Sequence, residues 1–288
     1  MSDAAASNAI DLSLLPAPAF AGTLSYDDIY AEMKAEAVLK IPEVDFNIES
    51  DPSVKLLRLF AWFRMIDRQQ SNDDAKAVTV AYATGAALDH LAALFRVARL
   101  DGETDDAFRE RIVLAPDGYS TAGPEAAYIY HARSASPLIK DATAISPEPG
   151  QVVVTVLATT TPGTVTEETR LLVEAAVNAK SVRPLTDQVT VQSAEIIPYA
   201  ITAELTAYQG PDSTVVLETA RAQVKAYKDA ERRLGRNVTL NGITSALRAA
   251  GVHDVNLISP VAPIVVSGTQ AAYCADDDVS VIIGGYAE

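Results

Sequence analysis

Three histidines, His90, His131 and His253, are the first side chains to weigh, because an imidazole can carry a proton or bind a metal near neutral pH. They lie far apart in the chain, and none falls in an H-E-x-x-H or H-x-E pattern, so no zinc site or general base follows from them. Ser120 sits in Gly118-Tyr119-Ser120-Thr121-Ala122-Gly123, where the second glycine is one place too late for a G-x-S-x-G nucleophile elbow and no strand precedes it. That segment reads as a loop in which Ser120 or Thr121 caps a helix begun by Pro124. The carboxylates Asp101, Glu103, Asp105, Asp106 and Glu110 lack the calcium-loop pattern. They suit a helix start, paired with Arg99, Arg109 and Arg111. Asp276-Asp277-Asp278 reads as a solvated loop, and no phosphate-binding glycine loop is present. The residues give no catalytic site, no metal site and no cofactor.

The elements that would position these groups change character near residue 136. Before it the chain is helical. Ser25 caps a helix to about Leu39, and Asp51-Pro52 opens a second, on which Leu56, Leu59, Phe60, Phe63 and Ile66 share one stripe. Leu57, Trp62 and Met65 lie off that stripe, so this helix is apolar on more than one side and needs a bundle or another chain. Further helices are expected over 73–83, 86–95, 104–114 and 124–135. After 136, Val-rich runs at 151–157, 189–191, 252–258 and 279–283 read as strands, and Ile197 to Leu205 alternates as one half-buried strand. Thr164 and Glu167 form a capping box for a helix buried through Leu172, Ala175, Ala176 and Ala179. Asp212 or Ser213 caps a long helix and Asn241 a short one.

The fold class is therefore α+β: a helical N-terminal region followed by two small α/β modules with mixed sheets. The expected division is a flexible Ala-, Ser- and Pro-rich arm at 1–23, a helical domain at 24–136, a first α/β module at 137–195 and a second at 196–288.

With 23 Lys and Arg against 38 Asp and Glu, the 288-residue chain carries a net charge of −15. That balance disfavours nucleic acid and anionic membrane surfaces as partners. The only basic cluster is Arg232, Arg233 and Arg236. A single cysteine, Cys274, excludes an internal disulfide framework and leaves an intermolecular one open. Without a signal-like N-terminus or a spanning apolar run, a soluble protein of a reducing compartment is expected.

One series of residues resembles a known family. It begins at Tyr82, Gly85, Leu88, Asp89 and Leu91 and continues through Val97, Arg99, Glu103, Asp105, Phe108, Arg109, Arg111 and Ile112. Ala115-Pro116, Ser120 to Pro124, Ala127-Tyr128, Asp141-Ala142 and Pro149-Gly150 follow in order. This succession is similar to the baseplate J family, wedge proteins of contractile phage tails. It departs from that pattern at Phe95-Arg96, where the resemblance leads one to expect a glycine before the valine.

The resemblance implies a structural subunit, not an enzyme. Two copies would join one smaller baseplate tail protein, and six such wedges would close a ring around the hub and help transmit the contraction trigger. The location implied is the virion tail baseplate, with the host cytoplasm during assembly. On this reading Leu56, Phe60, Trp62, Phe63, Tyr119 and Tyr128 belong to the partner interface. Tyr119 and Tyr128 shape the junction between helical and α/β parts, and Asp89, Arg99, Glu103, Arg109 and Arg111 form local ion pairs. A baseplate-associated cell-wall hydrolase and a generic soluble adaptor are the competing classes; the first needs a carboxylate pair or zinc site that the residues do not supply.

Overall fold

A computed structural model describes residues 12–18, 22, 25–210 and 212–287. The chain is α+β, and it divides between Arg99 and Leu100 into two compact units. The helical region expected over 24–136 is shared between them.

In the unit spanning residues 10–99, Ser25 caps α1 (Tyr26–Lys40) by accepting from the Asp28 amide, and Asp51 caps α2 (Pro52–Ala77) through the Ser53 amide. The second expected helix and the one expected to start at Asp73 are a single element. At 26 residues and 1.5 Å per residue, α2 runs about 39 Å. It packs on α1, and its buried residues are Val54, Ala61, Asn72 and Ala75. The hydroxyl of Tyr26 donates to the Arg58 carbonyl, the Arg58 guanidinium lies 5.6 Å from the Tyr30 ring centroid, and Arg68 pairs with Glu32 at 3.0 Å. The expected arm at 1–23 is described only at 12–18 and 22, where Leu12–Leu14 form one 3-10 turn and the Tyr82 hydroxyl donates to the Leu15 carbonyl.

Helix α3 (Gly85–Leu94) ends in a Schellman arrangement, with the Val97 amide on the Ala92 carbonyl and the Arg96 amide on that of Ala93. The residue that must turn left-handed there is Arg96, at φ +56°. This is the position where the resemblance leads one to expect glycine, so the turn is intact and its strain falls on the arginine. Arg96→Gly is therefore expected to raise stability by about 1 kcal/mol, read as an upward shift of the thermal midpoint.

In the unit spanning 100–288, Thr104 caps α4 (Asp105–Leu114) and Pro124 precedes α5 (Glu125–Ser134) without a side-chain cap. Ser120 accepts instead from the Ala122 amide, inside the loop, so neither it nor Thr121 caps α5. The first sheet has the order β1 (Ile139–Ile145), β2 (Gln151–Ala158), β3 (Gln188–Ser193), with β1 antiparallel and β3 parallel to β2. Helix α6 (Glu167–Val177) crosses over between β2 and β3. Its cap is Thr166, two residues past the expected Thr164, and the buried face is Thr169, Val173 and Val177, with Leu172 exposed. The buried face lies about one residue on from the expected one, and compact valines rather than Leu172 meet the valines of the sheet.

The rest of this unit holds β4 (Glu195–Pro198), β5 (Ile201–Tyr208), α7 (Ser213–Glu231), α8 (Leu240–Leu247), β6 (Val252–Ser259), β7 (Gln270–Tyr273) and β8 (Val279–Ala287). The single strand expected over 197–205 is two: β4 pairs with β7, and β5 lies between β6 and β8. Asp212 caps α7, and Thr239, not Asn241, caps α8. Val216, Ala220 and Val224 of α7 pack on Ile201, Ala203 and Leu205 of β5 in one core. Cys274 is buried in that core, where a thiol from another chain has no access to it in this fold.

Candidate functional site

Helix α2 turns Val54, Ala61, Asn72 and Ala75 inward, and that decides where its large residues go. Leu56, Leu59, Phe60, Trp62, Phe63 and Ile66 are all exposed, between 40% for Ile66 and 57% for Phe60. Their spacing of three and four residues gathers them along about three turns of helix. The rings of Trp62 and Phe63 meet edge to face with centroids 5.2 Å apart, which stiffens the centre of the patch. C-terminal to Ile66 the outward residues become Asp67, Gln69, Gln70, Asp73 and Asp74, so the apolar face has a defined end. Contiguous exposed apolar surface of this kind marks an interaction site. Covering the remaining half of each side chain is worth about 1 kcal/mol, so the six together supply about 6 kcal/mol.

The other two residues expected at a partner interface belong to the 100–288 unit and separate from each other. Tyr119, in the 3-10 turn Asp117–Tyr119, is 59% exposed. Tyr128 is a correction: it is 1% exposed, in the core of α5, β2 and α6, and presents no surface to a partner. Its hydroxyl donates to Asp187 at 2.8 Å. Burial, reinforced by that carboxylate, pushes the phenol far above its ordinary pKa.

Gly123, in the same loop region, sits at φ +75°, and a Cβ there would lie 2.8 Å from Pro184 Cγ and 2.9 Å from the Asp187 oxygen that holds Tyr128. Gly123→Ala is expected to cost about 2 kcal/mol through both backbone strain and displacement of Asp187. Calorimetry should show it well below Tyr128→Phe, which loses one hydrogen bond and about 1 kcal/mol.

Several of the groups first considered for chemistry find structural partners. His131 Nε2 faces the Gly118 carbonyl at 3.2 Å, and burial lowers its pKa despite that contact. The His253 ring meets Tyr208 edge to face. Asp89 pairs with Arg99 at 2.8 Å, Asp106 with Arg109 at 2.6 Å and Glu103 with Arg111 at 2.7 Å. Among the described residues, no group of three or more His, Cys, Asp or Glu side chains is placed to hold a metal ion, and no helix is long and apolar enough to cross a membrane. Lys228, which no sequence signal singles out, is buried with its ammonium on the Cys274 carbonyl and Asp276, drawing the acidic triplet into the fold.

Residues 49–104 match the Baseplate J-like N-terminal domain, a span that contains all of α2, and residues 120–193 match the Baseplate J-like central domain. Over 298 aligned positions the chain is 38% identical to Baseplate protein J of Escherichia phage P2, covering 96% of this chain and 98% of that protein. This chain belongs to the baseplate J family. In this family member the exposed face of α2 falls within the N-terminal domain match, and the buried Tyr128 and the α6 crossover fall within the central one.

Proposed function

We propose that this protein is a structural subunit of the baseplate wedge in a contractile phage tail. Two copies of the chain associate with one smaller tail protein through the outer face of α2, and six wedges close a ring around the hub that helps pass on the contraction trigger. The observation that carries the reading is the exposed row Leu56, Leu59, Phe60, Trp62, Phe63 and Ile66, in a chain similar over nearly its whole length to a phage baseplate protein. A helix apolar on this scale gains most from meeting other helices in a bundle. Subunit interfaces with two alternative packings supply the switching element, and no reactive group is required. On this reading the protein works in the virion tail baseplate and assembles in the host cytoplasm.

Native mass spectrometry after co-expression with the smaller tail protein tests it. A complex of two copies with one partner supports the wedge reading. A monomer that ignores the partner contradicts it.

A further inference from the structure

Within the 100–288 unit the two α/β modules have separate hydrophobic cores, one built on β1–β3 with α5 and α6, the other on β5, β6 and β8 with α7 and α8. Between them lies a much smaller apolar cluster of Leu157, Ala194, Leu234 and Ala271, flanked by Ile196. Most of the joint is polar and passes through three consecutive residues after α7. Arg232 inserts its guanidinium among loop carbonyls of the first module, at 2.8 Å from Thr159 O and 3.2 Å from Thr160 O. Arg233 donates to both carboxylate oxygens of Glu110 on α4. The Leu234 amide donates to Asp141 on β1 at 3.0 Å. Lys140 on the Asp229 carbonyl and Thr143 on the Gly268 carbonyl, each at 2.6 Å, complete the joint.

We infer that Arg232-Arg233-Leu234 is a releasable latch that fixes the second α/β module on the first and lets it swing about the 193–195 connection when undone. The pairings on the first module are redundant. Glu110 keeps Arg133 at 2.7 Å after Arg233 leaves, and Asp141 keeps the Ala142 amide at 2.9 Å after Leu234 leaves. The carbonyls of Thr159 and Thr160 lie in an exposed loop and are open to water once Arg232 withdraws. Release therefore leaves Glu110 its cation and Asp141 a backbone donor. The closed state, by contrast, holds a cost of its own: the Arg232 Nε is buried with no acceptor among the described residues. A small, largely polar joint between two separate cores is the kind across which domains move. The inference concerns this unit alone and stands whether or not the wedge reading does.

Hydrogen exchange on the full chain tests it with R232M/R233M, which keeps much of the side-chain bulk and removes both charges. Exchange is expected to accelerate at least 10-fold in peptides covering 157–163, 193–197 and 232–236, with β2 and β5 protected as in the wild type. Unchanged exchange at the joint would overturn the inference, and so would equal loss of protection in both cores, which would make the modules one cooperative body. R233M alone leaves Arg232 in place and is the informative variant if the double one fails to fold. An acceleration of about 3-fold confined to the joint supports the latch, and an even or absent response refutes it.

Discussion

Replacing Phe60 and Phe63 together with glutamate is expected to weaken assembly with the partner chains by at least 100-fold while moving the subunit's own thermal midpoint by less than about 3 °C. The two rings are 57% and 49% exposed in the isolated chain, so removing them opens little cavity. In a bundle they would be covered, and two carboxylates would then be buried without partners, a penalty exceeding the roughly 2.8 kcal/mol that a factor of 100 represents. The pair of readouts separates the two roles open to this helix face. A variant that melts much lower yet still assembles would return Phe60 and Phe63 to an ordinary core.

The second large effect is expected at Arg111. Its guanidinium donates to both oxygens of Glu103, at 2.8 and 2.7 Å, and lies 5.3 Å from the Phe108 ring centroid. Both partners of this ion pair are 4% exposed, and Glu103 also accepts from the Leu100 amide at 2.9 Å. Arg111→Ala leaves a carboxylate buried without its cation, which typically costs about 3–5 kcal/mol. For a folding unit of this size that corresponds to a fall in melting temperature of roughly 10 °C. R111M/E103L, which removes both charges and keeps the volume, is expected to recover most of the loss. A fall of less than about 2 °C for Arg111→Ala would mean that water reaches Glu103 and the pair is not the anchor of α4.

What could be read from the sequence and what could not follow from how far each signal reaches. Ser25, Asp51 and Asp212 were legible as caps because a capping side chain acts within three residues of itself. The cap of α6 was misplaced because Thr164 and Thr166 both precede suitable residues, and only packing on the sheet selects between them. Helix α2 was recognisably apolar on several sides, but which side turns inward depends on the shape of α1, so the exposure of Phe60 could not be read from α2 alone. Strand β1 escaped notice because Lys140 and Asp141 interrupt its apolar pattern. Those two residues are there to reach the second module, a role set by distant parts of the chain. In the same way Arg232 and Arg233 read as a basic cluster, with no local sign that one is buried among carbonyls and the other paired with Glu110. Tyr128 was expected at an interface and lies in a core, because its partner Asp187 is 59 positions away.

The most direct test of the wedge account is a photo-crosslinking amino acid placed at position 63 and activated in assembled tails. The account predicts cross-links from this position to a second copy of the chain or to the smaller tail protein, at high yield and lost in unassembled subunits. Cross-links confined to the chain's own residues, or none in assembled particles, would contradict it.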